Sequence, residues 1–169
     1  MSNYQVINGM IGGQDVETSS STQEHQLGLC IKAVDVAQAT DYGVSTFIYL
    51  KGFAGTLLGS FVSYKEDDYS TTLLAEGDIG QVAIAMVPTG TDSFGWYQCM
   101  GKGVGLVAAS FADNSFVYAT GLDGTVDDFN ASGDERIKQC RGASAIDTPG
   151  DGLAEFELTM PFMDNGQVA

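Results

Sequence analysis

Phe94-Gly-Trp-Tyr-Gln-Cys-Met-Gly101, running on into Lys-Gly-Val-Gly105, constrains the fold more than any other stretch. It holds the only Trp of the chain, two further aromatics and a cluster of glycines. A strand points successive side chains to opposite faces, so Phe94, Trp96, Gln98 and Met100 share one side and Gly95, Tyr97 and Cys99 the other. Large groups on both sides mark a central strand of an all-β domain, buried on both faces. Glycine weakens a strand interior, so the backbone is expected to bend or turn at Gly101, Gly103 and Gly105.

The rest of the chain reads the same way. Gly is high at 22 and Pro low at 3, while the helix formers Lys, Arg and Glu are scarce beside Val, Ile, Phe, Tyr and Thr. Strands are predicted over Leu27–Asp35, Ser45–Leu50, Leu57–Tyr64, Thr71–Ala75, Val82–Val87, the Phe94 stretch, Leu106–Ser110, Phe116–Thr120, Arg136–Ile146 and Leu153–Met160. One helical turn is expected at Val36-Ala-Gln-Ala39, and turn chemistry separates the strands at Asp113-Asn114, Gly121-Leu-Asp-Gly124 and Asp147-Thr-Pro-Gly150. The expected fold is a small β-barrel or β-sandwich of about ten short strands with an extended N-terminal arm. A chain of 169 residues can bury its own core without disulfides or metals.

Residues 1–26 read as that arm, ahead of a β-domain over 27–169. The segment is polar and glycine-rich, with isolated apolar residues at Tyr4, Val6, Ile7, Met10 and Ile11. Two readings stand: these side chains dock on a neighbouring subunit, or they pack on their own domain.

The net charge is −15, which argues against binding nucleic acid or an anionic membrane surface. No window approaches the ~20 apolar residues of a spanning helix. Cys30, Cys99 and Cys140 form an odd, widely spaced set, read as small buried apolar residues with free thiols, and no basic region followed by an apolar run opens the chain. Both point to synthesis in a reducing cytoplasm. Three of the seven basic residues lie together at Arg136, Lys138 and Arg141. They make either a solvated strand face or a salt-bridge site for an acidic partner.

No cofactor or resident metal is expected, and no enzyme activity. His25 is the single histidine, and no matching constellation supports a Ser-His-Asp or Cys-His mechanism. Gly101-Lys-Gly-Val-Gly105 lacks the Gly-Lys-Ser/Thr of a phosphate loop, and no helical pattern follows it. The acidic loop 121–135, with Asp123, Asp127, Asp128, Asp134 and Glu135, offers hard oxygens to Ca²⁺ but not at EF-hand spacing. Tyr64, Tyr69 and Trp96 can either form a sugar-binding face or join the core.

Three segments carry a resemblance. They are Phe47-Ile-Tyr-Leu-Lys-Gly52; Val82-Ala-Ile-Ala-Met86 leading into Phe94-Gly-Trp-Tyr-Gln98 and Gly101; and Leu158-Thr-Met-Pro161. In this order, from about Leu27 to Pro161, the chain resembles a family of small structural proteins of tailed bacteriophages that decorate or cement the capsid. Its relatives more often carry Tyr where Phe94 stands. The resemblance implies a virion protein on the outer capsid surface, made in the host cytoplasm, with the major capsid protein as partner. It also implies a homo-oligomer, with the trimer favoured, and no active site. A carbohydrate-binding β-domain of the tail or head, or a minor head-tail component, is the alternative.

Overall fold

The computed structural model describes residues 4–7, 15–37, 42–130 and 136–164. Twelve strands and no helix occur among the described residues. In order they are β1 (Tyr4–Val6), β2 (Ser19–Ser20), β3 (Cys30–Asp35), β4 (Val44–Lys51), β5 (Phe61–Tyr64) and β6 (Thr71–Leu73). Then come β7 (Gly80–Ala85), β8 (Phe94–Leu106), β9 (Phe116–Ala119), β10 (Val126–Asp127), β11 (Arg136–Gly142) and β12 (Leu153–Met163). Every strand ladder is antiparallel. The sheet runs β1-β3-β4-β8-β7-β12-β11-β9-β10 and stays open, so the fold is sandwich-like rather than a closed barrel.

The sheet forks at its centre. β8 pairs with β7 at Tyr97 and Gln98, then with β12 from Met100 to Leu106. The far end of β12, Phe162 and Met163, pairs in turn with Gln81 and Gly80 of β7. Three strands thus share partners around one point, and Gln98 stands there, 1% exposed. Its Nε2 donates to Lys102 O at 2.9 Å, Ser45 Oγ at 3.0 Å and Met100 O at 3.3 Å. Two of these bonds serve backbone carbonyls beside the bend in β8. Gln98→Leu keeps the bulk but removes the donor, and is expected to cost about 1–3 kcal/mol in urea unfolding. A loss near zero would show that the carbonyls find other donors.

Three cores result. The first is the sandwich interior, where Phe61, Val82 and Ile84 of β5 and β7 cluster with Phe156, Leu158, Ile137 and Val117 of β12, β11 and β9. Phe61 and Phe156 meet edge to face, with ring centroids 5.0 Å apart. The other two lie on either face of β8. Tyr97 and Cys99 pack with Ile48, Leu50, Val62 and Tyr64, while Trp96 packs with Phe47, Tyr49, Ile31, Val16 and Tyr4. The strand of mixed aromatics is therefore buried on both sides, as its alternation predicts.

The end of that strand differs from expectation. β8 continues through Gly101, Gly103 and Gly105 to Leu106, so Leu106–Ser110 is not a separate strand. The glycines supply room as much as bending. A Cβ on Gly105 would lie 2.5 Å from Phe61 Cε2, and of the three only Gly101, at φ +98°, leaves the ordinary strand region. β5 likewise starts at Phe61 rather than Leu57, because residues 57–60 turn.

Of the two readings of the arm, its described residues take the second and pack on their own domain. Tyr4–Val6 adds to the edge of β3, with Tyr4 opposite Asp35. Tyr4 is buried, its ring edge-on to Phe47 at 4.9 Å. Val16 is 1% exposed, and Ser19–Ser20 pairs with Gly95 and Phe94. A few apolar side chains with a ready sheet edge suffice to bind a polar segment to its own body. Of the arm residues expected to reach a partner, Tyr4 and Val6 are committed here, Ile7 is half exposed, and Met10 and Ile11 lie outside the described residues.

Candidate interaction surface

β11 gathers the basic cluster. Strict alternation from Arg136 and Lys138 would send Arg141 inward. Instead Gln139, at φ +60°, sits in a bulge between Lys138 and Cys140 and resets the phase. Ile137 and Cys140 both enter the sandwich core, and Arg136, Lys138 and Arg141 all remain on the outer side. The partner strand bulges in concert. Three residues of β12, Thr159 to Pro161, span the same gap, with Met160 at φ +56° and Pro161 unable to donate to the ladder. The closing Leu158-Thr-Met-Pro161 motif is thus the counterpart of the bulge that aligns the cations.

The cations differ in their surroundings. Lys138 pairs with Asp164, both more than a third exposed, so this is a surface ion pair of small worth. The Arg136 guanidinium lies 3.7 Å from the ring centroid of Phe116, which is 54% exposed. Arg136 Nε is buried with no hydrogen-bond acceptor among the described residues. Among those residues neither Arg136 nor Arg141 has a carboxylate within 4.0 Å.

Strand register sets these groups in rows, because directly opposed residues share a face. One row reads Phe116, Arg141, Glu157, Lys102 across β9, β11, β12 and β8. The neighbouring row reads Asp127, Tyr118, Arg136 across β10, β9 and β11. An aromatic ridge of Phe116 and Tyr118 therefore has cations on its β11 side and an acidic edge on its β10 side. Sequence reading found the cations but missed the ridge. The alternation in Phe116-Val-Tyr-Ala119, with Val117 and Ala119 buried, is the signal that points both aromatics outward.

Beyond this face, Glu155 accepts from Lys102 Nζ at 2.8 Å and from the Tyr42 hydroxyl at 2.7 Å. Burial, and then Glu155, push the Tyr42 hydroxyl pKa well above its ordinary value, so it stays protonated. A cleft of about 260 Å³ opens beside it, walled by Leu58, Met86, Val104 and Leu153 with Gln98 at its back.

The acidic loop is partly engaged with itself. Asp127 Oδ1 accepts from the Asp128 amide at 2.8 Å, and Asp128 Oδ2 from the Ala112 amide at 3.0 Å. Burial, and then Asp128, raise the Asp127 carboxyl pKa. No group of three potential metal ligands occurs among the described residues; Asp134 and Glu135 lie outside them. Leu122 and Phe129 protrude from this loop, 67% and 68% exposed.

Other expectations settle into the core. Trp96 is 0% and Tyr64 5% exposed, and Tyr69 packs against the second core, so these three do not form a sugar-binding face. Strand aromatics with apolar neighbours on both faces are simply better buried. Burial pushes the Cys99 thiol up to about 12 and raises that of Cys140, which keeps both as thiols near neutral pH, whereas Cys30, expected to be buried with them, is exposed at the start of β3. His25 lies against the rings of Tyr49 and Trp96. No helix among the described residues is long and apolar enough to cross a membrane. Neither the protein-family models nor the curated proteins contain a match to this chain.

Proposed function

We propose that the protein is a structural component of a bacteriophage virion that decorates the capsid by binding an acidic protein surface, without catalysis. The observation that carries this reading is the outer face of β9 and β11. A body of net charge −15 repels other acidic proteins unless a cationic patch leads the approach. Arg136 and Arg141, set beside an exposed Phe116, make such a patch, and arginine with aromatics is the usual composition of binding hot spots. The capsid is proposed as the assembly on the resemblance of the three sequence segments alone. Contact through this face replaces the arm as the main grip, because Tyr4, Val6 and Val16 are spent on the fold. Small oligomers raise the effective concentration of each contact and turn weak docking into firm attachment.

Co-sedimentation with capsid shells that lack the protein tests this. The unmodified chain is expected to sediment with the shells. The double variant Arg136→Glu and Arg141→Glu is expected to bind about tenfold more weakly or worse. Lys65→Glu, in the turn after β5, serves as the control for an added acid elsewhere and is expected to bind as the unmodified chain does. Equal binding by all three chains would overturn the assignment of the face.

A further inference from the structure

We infer that the cleft beside Tyr42 is a binding site for a small, uncharged and mostly apolar molecule that carries one hydrogen-bond donor, a hydroxyl or N–H on a ring. The inference goes beyond the reading of the outer β9 and β11 face, and none of the described residues lining the cleft belongs to either strand. Leu58, Met86, Val104 and Leu153 wall the cleft, and Gln98 closes its back. The amide of Gln98 is fixed one way round. Its Nε2 faces the carbonyls of Met100 and Lys102, which only accept, so the oxygen must point to the other side. Although Gln98 is only 1% exposed, its Oε1 accepts no hydrogen bond among the described residues. Unlike Trp96 Nε1, this oxygen is not sealed from solvent. Gly103 keeps it bare, because a Cβ there would stand 2.8 Å from Oε1.

An acceptor without a donor, at the back of an apolar cleft, sets the chemistry of the occupant. Water suits the place badly. A buried water typically makes about three hydrogen bonds. Gln98 Oε1 offers one, the four apolar walls none, and the Tyr42 hydroxyl already donates to Glu155 at 2.7 Å. Replacing such water by an apolar body that brings its own donor is favourable. Charge is selected against. The net charge of −15 opposes an anion. A cation would find no carboxylate among the described lining residues, and Glu155 nearby is already paired with Lys102 at 2.8 Å. Size narrows the class further. An apolar cavity of about 150 Å³ suffices for benzene, so about 260 Å³ admits a two-ring molecule the size of indole.

Indole and its isostere benzofuran, which has an oxygen in place of the N–H, test the site. Each is titrated into the isotopically labelled chain and followed by two-dimensional amide NMR. Indole is expected to shift the amides of Val104, Gly150 and Leu153 saturably and to bind about tenfold more tightly than benzofuran. In Gln98→Leu that preference is expected to vanish, because the acceptor is gone while the bulk remains. Leu58→Asp puts a charge on the wall at a residue already 53% exposed, where the fold tolerates it. Both probes are expected to bind this variant at least about tenfold more weakly. The absence of saturable shifts at those amides, or equal binding of the two probes by the unmodified chain, would overturn the site, and neither result depends on a variant folding. An undiminished preference in folded Gln98→Leu, or unchanged binding by Leu58→Asp, would overturn it as well.

Discussion

Trp96→Ala is expected to lower stability by roughly 3–5 kcal/mol, a large share of the roughly 5–15 kcal/mol that holds a domain of this kind together. Trp96 is fully buried in the core formed by Phe47, Tyr49, Ile31, Val16 and Tyr4. Its ring lies 5.0 Å from Tyr49 and 5.3 Å from His25, centroid to centroid. Removing it leaves a cavity walled by a strand on each side and the N-terminal segment above, and sheet backbones collapse poorly into such a space. The indole N–H is buried without an acceptor among the described residues, so the loss is one of packing and transfer rather than of a hydrogen bond. That detail gives a second comparison. Trp96→Phe deletes the unsatisfied donor while keeping a ring, and should lose well under half as much as the alanine variant. Urea unfolding followed by far-UV circular dichroism reads both, since the only tryptophan is gone from each variant. A loss below about 1 kcal/mol for Trp96→Ala would mean that this core is not a cooperative part of the fold.

Gly101→Ala is the second large effect, for two independent reasons. The residue has φ +98°, where an L side chain costs about 1–2 kcal/mol. Its Cβ would also lie 2.4 Å from Ser45 Oγ and 3.0 Å from Ser45 Cα. The hydroxyl can turn away but the backbone of β4 cannot, and crowding a packed site costs typically about 1–3 kcal/mol. A total loss of roughly 2–5 kcal/mol is expected. Gly77→Ala isolates the backbone part, because Gly77 has φ +80° with open space for 4 Å around the place a Cβ would take. The difference between the two variants, measured by the same unfolding experiment, is the steric cost of the close approach between β4 and β8. If they lose equal amounts, β4 and β8 are free to move apart at no cost.

The sequence made the all-β class and the central strand legible because these rest on local alternation. Trp96 on one face of β8, with Tyr97 and Cys99 on the other, follows directly from the period of a strand. What escaped depends on contacts between distant segments. Gly103 and Gly105 look like breakers until Phe61 and Phe156 are known to lean over Gly105 and Gln98 over Gly103. Sequence left open whether the arm docks on a partner or on its own domain, and the pairing of Tyr4–Val6 with the edge of β3 decides it for those residues. The basic cluster was visible by composition, but its common orientation was not. That depends on the bulge at Gln139, and a single extra residue reverses every side chain after it. Nor could spacing show that Phe116 lies under Arg136, since β9 and β11 are joined by the long acidic loop.

The same features account for how the protein would serve as a clamp. Forked pairing among β7, β8 and β12 ties three parts of the sheet to one centre, so the outer face of β9 and β11 rests on a packed sandwich core. A rigid face loses little conformational freedom on docking, which leaves more of the contact energy as affinity.

The most direct test of the central claim is the stoichiometry of the protein on purified virions, measured by quantitative mass spectrometry against the major capsid protein. Decoration predicts copies in fixed proportion to the repeating capsid subunits, lost together from particles assembled with the Arg136→Glu, Arg141→Glu variant. Absence from the virion, or a handful of copies confined to one vertex, would contradict it.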